Sequence, residues 1–583
     1  MCFALSMYSG FERLPEHILE DIVLFAVDAT FPGPPTPLAS LLRVSKKVSS
    51  ILTQKRNPIL YARIFVSKFD IAAPCRRFGK SALDVNQQAR ECIRRFKCLR
   101  RFRFNSYPED ENVSSPLCED LWIAYLMFLE NDGKNIAQLI GYAHIDIFAR
   151  DFVKTSGRLH IGATENAGWT VDNETNALAL WLFWFTDDDR VGKETPEERI
   201  DTLNALSCIF LGSFKYPTTF APLTTFQIPP SVIPPLHEPR PTFLLSTSPT
   251  HPPSVIRDYF GQRLVLSRPL LTPPALLSCL IRFGGCVKSR GASIDENANQ
   301  TVSRAQAIKL GWSGALTEKY DRLGMEGYQW SQTSSIRHQH DWRRLLYCYN
   351  PWTRMRIPTR AFSPGQLEGT WEGRWLTVNS DFFHNVANTA REGRSINHPP
   401  DYLVVQQPIE FCVREYYQID PKECLSFNDM STDGTGTGAL QGWQPSGMEV
   451  EEASGKLDIF DPRAKQRHIY QSSIPIKDIL DEYMANSDSS SPYDNDVWDI
   501  ILTARTHDDY ADIWGRDRYF GRIRAWDGLV LLVRERRHDA GRWIFYGYIY
   551  SGQNLVGRWR ETGTPITSQG LEGVWGMVKS GNA

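Results

Sequence analysis

Arginine is the residue type whose placement in this sequence most directly suggests chemistry. Between Arg516 and Arg560 the chain carries ten arginines against four acidic residues, a surplus of six positive charges. A guanidinium fork pairs with a carboxylate through two parallel hydrogen bonds. Arg522, Arg524, Arg534, Arg558 and Arg560 are therefore candidates to frame a site for an acidic segment or a chain-terminal carboxylate. Trp526, Trp543 and Tyr548 would supply apolar walls for it. The same arginines also fit the plain alternation of a strand with one wet face, in which they point into water. Metal chemistry has two weaker candidates. His338 and His340, in the run HQHD with Asp341 and with Cys348 near by, would share a face on a strand and could share a metal. His507, Asp508, Asp509 and Asp512 could bind a hard cation, but they lack the ordered spacing and central glycine of a calcium loop. No GxSxG, GxxxxGK[ST] or HExxH motif occurs. The Gly-rich stretch TDGTGTG has no lysine and no apolar helix after it. Nothing assembles a nucleophile, a base and an orienting group. The expectation is a non-catalytic protein with no cofactor and no bound metal.

The elements that would position the arginines are strands rich in tryptophan. The chain of 583 residues has 17 tryptophans, nine of them from Trp371 onward. In LEGTWEGRWLTV, Trp371, Gly373 and Trp375 share one face at the strand period of two. Leu555, Gly557 and Trp559 repeat the pattern, as do Leu571, Gly573, Trp575 and Met577. Small glycine beside large tryptophan suits a tightly curved sheet. The near-identity of the runs LEGTWEG and LEGVWGM marks the first and last strands of a sheet that closes on itself, which removes its edges. The runs WDGLVLLVRER and GRWIFYGYIY read as a hairpin turning near His538–Gly541. With strands at 402–414, 456–461 and 497–505, about eight strands form a small antiparallel barrel over 365–580. Two stretches, 428–442 and 485–496, read as loose loops.

Upstream, the pattern changes to helices. The segment DVNQQARECIRRFKCLRRFRF interleaves Arg94, Arg95, Lys97, Arg100, Arg101 and Arg103 with Phe96, Phe102 and Phe104, a mixture that can bind single-stranded nucleic acid. Ala89, Cys92, Ile93, Phe96 and Leu99 nevertheless lie at core-stripe spacing, which puts the basic residues on a wet face. The runs PLCEDLWIAYLMFLENDGKN and DNETNALALWLFWF read as buried helices, with Trp181 and Trp184 as core and Asn173 or Asp172 as a cap. Residues 217–274 hold 14 of the 36 prolines and read as a linker or strap. Residues 275–364 read as a mixed connecting region. Lys and Arg total 65 and Asp and Glu 67, so the formal net charge is −2. That is no global field for nucleic acid or an anionic membrane. No apolar run of 18 residues predicts a spanning helix, and MCFALSMYSG does not read as a signal peptide. The 11 scattered cysteines fit reduced thiols in the cytoplasm or nucleus.

Residues 11–70 read as three short helices. Pro15 opens the first, whose apolar stripe is Ile18, Leu19, Ile22 and Phe25. The run PLASLLRVSKKVSSIL forms the second and NPILYARIFVSKF the third. Three helices of this length bury little area alone and need a partner surface or the rest of the chain. Leu14-Pro15, Ile18-Leu19, Ile22, the LLRVSKKVSSIL run and the Pro58–Tyr61 element resemble an F-box. An insertion, ATFPGPPTP, separates the first two helices, and Val48 and Tyr61 stand where tryptophan is common in that family. The resemblance implies docking on a Skp-type adaptor, and through it a cullin, with Leu14, Pro15, Ile18, Leu19 and Ile22 facing the adaptor and Leu41, Leu42 and Val44 supporting them. The helical middle and the Trp-rich barrel are similar to fungal F-box proteins with a C-terminal lipocalin-like barrel, in which the barrel holds the degron of the substrate. The expected architecture is α+β: an F-box (11–70), a helical linker domain (71–216), the proline-rich strap (217–274), the connecting region (275–364) and the barrel (365–580). The expected function is substrate reception for a cullin-RING ubiquitin ligase. A small-ligand-binding barrel with a helical scaffold, and an RNA-binding protein, are the competing readings. An ordinary amphipathic helical cap is the alternative for residues 11–70.

Overall fold

The computed structural model describes residues 10–107, 116–154, 169–187, 193–212, 215–220, 223, 254–284, 334–347, 361–378, 381–382, 385, 388, 404–420, 422–425, 443, 447–462, 464–473, 497–506, 516–524, 526–535, 543–562 and 571–580. Chain contacts divide these into two compact units. One comprises the described residues of 1–151, 254–265 and 330–338, and the other those of 152–253, 266–329 and 339–583. The helical linker domain expected at 71–216 is thus shared between the units. The expected strap at 217–274 likewise ends in regular structure, a hairpin and the start of a helix; most of its proline-rich part lies outside the described residues.

The first unit is helical: α1 (Glu16–Asp28), α2 (Thr36–Leu41), α3 (Lys46–Leu52), α4 (Pro58–Lys68), α5 (Ala72–Phe78), α6 (Lys80–Leu83), α7 (Val85–Arg103) and α8 (Pro116–Leu129). The hairpin β1 (Ser254–Tyr259) and β2 (Gln262–Leu266) follows much later in the chain. Four helices, not three, fill residues 16–68. The run expected as one second helix breaks because the Ser45 side chain accepts the backbone N–H of Val48, which starts α3 afresh. Asn57 caps α4 in the same way through the N–H of Leu60, with Pro58 at the first helical position.

The basic helix α7 differs from expectation in one residue. Arg95 is not on a wet face. It is fully buried, 2.6 Å from Glu130 and 3.2 Å from the Tyr259 hydroxyl, with the rings of Phe65, Phe69 and Phe260 around its guanidinium. A charge is tolerated there because it is paired and stacked. Arg94 bonds Glu119 and Arg101 bonds Asp120, while Lys97, Arg100 and Arg103 are exposed.

The second unit contains α9 (Glu174–Thr186), α10 (Pro196–Leu211), α11 (Thr272–Gly284), α12 (Gln339–Tyr347) and the strands β3 (Gly369–Val378), β4 (Val404–Gln418), β5 (Glu449–Ala453), β6 (Lys456–Asp461), β7 (Gln466–Gln471), β8 (Asp499–Arg505), β9 (Arg518–Arg524), β10 (Leu529–Glu535), β11 (Trp543–Tyr550), β12 (Asn554–Glu561) and β13 (Glu572–Lys579). Eight antiparallel strands close into a barrel in the order β3, β13, β12, β11, β10, β9, β8, β4, with β4 returning to β3. The two similar Trp-Gly runs meet at the seam, where Trp375 lies opposite Trp575. The number of strands agrees with expectation but their membership differs. Residues 456–461 leave the barrel, and the unanticipated β9 enters it.

Glycines permit the closure. A Cβ on Gly557 would overlap the Tyr546 carbonyl oxygen, and one on Gly373 the Gly576 carbonyl oxygen. The barrel interior is filled by Trp371, Trp375, Phe411, Phe545, Trp559, Trp575 and their aliphatic neighbours. The buried indole N–H groups find carbonyls: Trp559 donates to Leu376 at 2.8 Å, Trp575 to Arg558 at 3.0 Å and Trp371 to Leu367 at 2.7 Å. The remaining strands, β5–β7, form a flap that continues from the end of β4. Its inner residues Leu457, Ile459 and Tyr470 pack on Tyr416, Ile501 and Phe520 of barrel strands, making a second core.

Candidate functional site

Two sets of residues bear on function: an apolar row on α1 in the first unit, and the arginines of the barrel unit.

Helix α1 carries two apolar stripes. Leu19, Val23 and Val27 are fully buried and form its core face. Ile18, Ile22 and Phe25 form a second row at the same helical spacing. At 100° per residue the two rows lie about 130° apart around the axis. Ile18 is 37% exposed and Phe25 82%, while Ile22 is half-buried. Of the apolar stripe read from the spacing, Leu19 alone turns fully inward. Leu19 is fully buried, so the structure does not present it on one surface with Ile18 and Phe25, unlike the grouping expected from the sequence. Of the others, Pro15 and Val44 are exposed, and Leu14, Leu41 and Leu42 are half-buried. Val48 is fully buried in α3, where it serves the core of the first unit. The exposure of Phe25 was not legible in sequence because its spacing fits a core face equally well.

The five arginines of the barrel unit do not frame an open site. Each is buried and engaged within the chain. Arg522 bonds Asp499 through both fork nitrogens, at 2.7 and 2.6 Å, and also donates to the Leu425 carbonyl, beside the flap. Arg524 bonds Asp527 at 2.9 and 2.6 Å. Arg534 bonds Asp517 at 2.7 Å. Arg560 bonds Glu572 at 3.0 Å, its partner in the β12–β13 register. Arg558 donates to the carbonyls of Ile209 and Phe210 and to the Thr218 hydroxyl. It thereby satisfies orphan acceptors in the last turn of α10, where a cation also complements the helix dipole. Burial pulls the Arg558 guanidinium below its ordinary value.

The expected aromatic walls are engaged as well. Trp526 lies against Arg524, 4.7 Å from its guanidinium carbon to the ring centre. Tyr548 is buried, donates to Asp527 at 2.6 Å and accepts the Phe220 N–H. Burial pushes its phenol well up. Trp543 is half-buried and stacks on Trp559 with ring centres 4.6 Å apart. The surplus of positive charge was real in sequence. Three of its counter-ions, Asp517, Asp527 and Glu572, were in or beside the counted window, and the fourth, Asp499, lies upstream of it on β8, the strand paired with β9.

The metal candidates also change. His338 ends a short helical turn (Ser335–His338), and His340 lies in α12, so they do not share the face of a strand. His340 is 3.0 Å from the Ala361 carbonyl oxygen, and burial pushes its imidazole down to about 4. Cys348, the group His507, Asp508, Asp509 and Asp512, the Gly-rich stretch 428–442 and the loop 485–496 lie outside the described residues. Among the described residues no cluster of three His, Cys, Asp or Glu side chains could hold a metal, and no helix is long and apolar enough to cross a membrane.

Compared with known proteins, the chain matches no family model, no curated protein and no solved structure.

Proposed function

We propose that this chain is a substrate receptor of a cullin-RING ubiquitin ligase, with the α1 region docking on a Skp-type adaptor and the barrel unit recruiting the protein to be modified. In this reading the chain makes no covalent bond itself, and ubiquitin transfer belongs to other subunits. The observation that carries it is the second apolar row of α1. A helix with one row in the core and another, Ile18, Ile22 and Phe25, facing solvent has more apolar surface than its own fold uses. Contiguous exposed apolar side chains of this kind mark a docking face for another protein. Pro15 and Val44, also exposed, extend the same chemistry. The filled barrel interior favours a protein-recruiting surface over an enclosed small ligand.

The test is capture of a purified Skp-type adaptor by the full chain and by the double variant Ile18→Asp/Phe25→Asp. Both positions are solvent-facing, so the variant should unfold within about 0.5 kcal/mol of the natural chain. The expected result is adaptor capture by the natural chain and its loss, by at least tenfold in affinity, in the variant. Failure of the natural chain to bind, or equal binding by the variant, overturns the reading.

A further inference from the structure

Barrel closure leaves one sheet edge to account for. Strand β5 is the last strand of the flap. It pairs with β6 on one side, and no described strand pairs with its other side. An edge that no described strand pairs is a template on which another chain can add a strand. Alongside it lies a groove of about 460 Å³. Met448, Val450 and Leu457 of the flap give it an apolar wall, and Phe520, Arg518 and Glu535 of β9 and β10 form the opposite side.

We propose that this groove takes an extended peptide, added as a fourth strand beside β5, in which apolar side chains alternate with basic ones. This rests on the receptor reading only in naming such a peptide as part of a substrate.

Three observations set the chemistry. The position of β5 over the barrel is fixed by Glu452, which accepts from Arg414 at 2.6 Å, from Arg505 at 2.7 Å and from the Tyr416 hydroxyl at 2.7 Å. That carboxylate is engaged and does not select the peptide. Next, Arg518 and Glu535 stand opposite each other in the β9–β10 register, so the charges of the floor offset. Inward peptide side chains therefore meet mainly Val450, Met448 and Phe520, and Val450 is 41% exposed. Lastly, the outward face of β5 is acidic. Glu449 and Glu451 are both exposed; Glu451 lies opposite Asp458 of β6, whose carboxylate Arg467 of β7 already engages at 2.9 Å, so Glu449 and Glu451 are the acidic side chains that an added strand would meet. A lysine or arginine at the outward positions of an added strand would pair with these two glutamates across the new register. Main-chain bonds would then supply affinity and the alternation would supply specificity, the usual division in strand addition.

The experiment uses the full chain and two labelled, end-blocked octapeptides, one alternating Lys and Val and one alternating Glu and Val, followed by fluorescence anisotropy. The Lys–Val peptide is expected to bind the tighter of the two. The double variant Glu449→Lys/Glu451→Lys changes only exposed side chains. It should weaken the Lys–Val peptide about tenfold and strengthen the Glu–Val peptide, as reversal of two exposed charge contacts requires. No preference between the peptides, or affinities that the charge reversal leaves unchanged, overturns the proposal. Light scattering that reveals a dimer dispersed by the same variant also overturns it, since the edge would then serve a second copy of the chain. Adaptor capture measured on the same preparation separates the two ideas. Capture without peptide preference removes the groove alone. Peptide preference without capture removes the receptor reading and leaves a peptide-binding groove.

Discussion

At the level of single residues, the barrel unit is organised by buried ion pairs. Arg522 and Asp499 are both fully buried, and the Tyr470 hydroxyl adds a third contact to the carboxylate at 2.6 Å. Removing one partner of such a pair strands the other charge in a low-dielectric interior. Asp499→Asn should therefore destabilise the barrel unit by about 3–5 kcal/mol. Replacing both, as Asp499→Leu/Arg522→Met, should cost less than the single change, because no uncompensated charge is left behind. Urea unfolding followed by tryptophan fluorescence measures both; a double variant as unstable as the single one would refute the account. The same logic predicts what charge reversal at Arg558 and Arg560 would do. Glutamate there would face the acceptors of α10 and the carboxylate of Glu572, so loss of substrate capture would report unfolding and not a lost binding contact. These arginines were legible in sequence as a cluster but not as a core. Alternation along a strand tells which residues share a face. It does not tell whether that face is later covered, and the flap over β9 and the helices against β12 are long-range features.

At the level of elements, periodicity was informative about existence and left orientation open. Helix α1 was expected from Pro15 and the apolar spacing, and it forms. Ile18, Ile22 and Phe25 satisfy that spacing as well as Leu19, Val23 and Val27 do, so the sequence contains two admissible core faces. Packing against the other helices of the first unit selects one. The break between α2 and α3 was hidden for a related reason: Leu41, Leu42, Val44 and Val48 continue a helical pattern through it, while the signal that interrupts it is a single side chain. Ser45 accepts the Val48 N–H at 3.2 Å. Ser45→Ala removes that acceptor and should cost about 1 kcal/mol. Ser45→Asp, which keeps an acceptor at the same place, should restore most of it. Thermal unfolding of the three proteins checks this, and an alanine variant as stable as the natural chain would mean that the break is held by packing and not by the cap.

At the level of the whole molecule, the closed barrel is the feature most completely foreshadowed, and the reason lies in a sequence pattern with few alternatives. Glycine beside tryptophan at strand spacing has little use on an open, half-wet sheet, whereas in a small barrel the glycine lets strands curve and the indole fills the space. The register bears this out: Gly547 lies opposite Gly557, and Trp375 opposite Trp575. The flap was not foreseen as a separate layer, because Leu457, Ile459 and Tyr470 alternate with polar residues just as barrel strands do. The consequence for closure can be tested at one position. An alanine at Gly557 would set its methyl group against the Tyr546 carbonyl and the Gly547 Cα on the neighbouring strand. These are backbone atoms that cannot rotate away, so the strands must separate. Gly557→Ala should then cost more than the ordinary 0.5–3 kcal/mol of a point substitution, roughly 4 kcal/mol or above. Its tryptophans should also lose their fixed environment, since Trp375, Trp559 and Trp575 pack edge-on around the interior. Near-UV circular dichroism is the direct measure. Loss of the aromatic signal with strand content retained would show that closure, and not strand formation, depends on that glycine. A native spectrum with unaltered stability would show that the β11–β12 pairing has slack and that the barrel does not need the close approach.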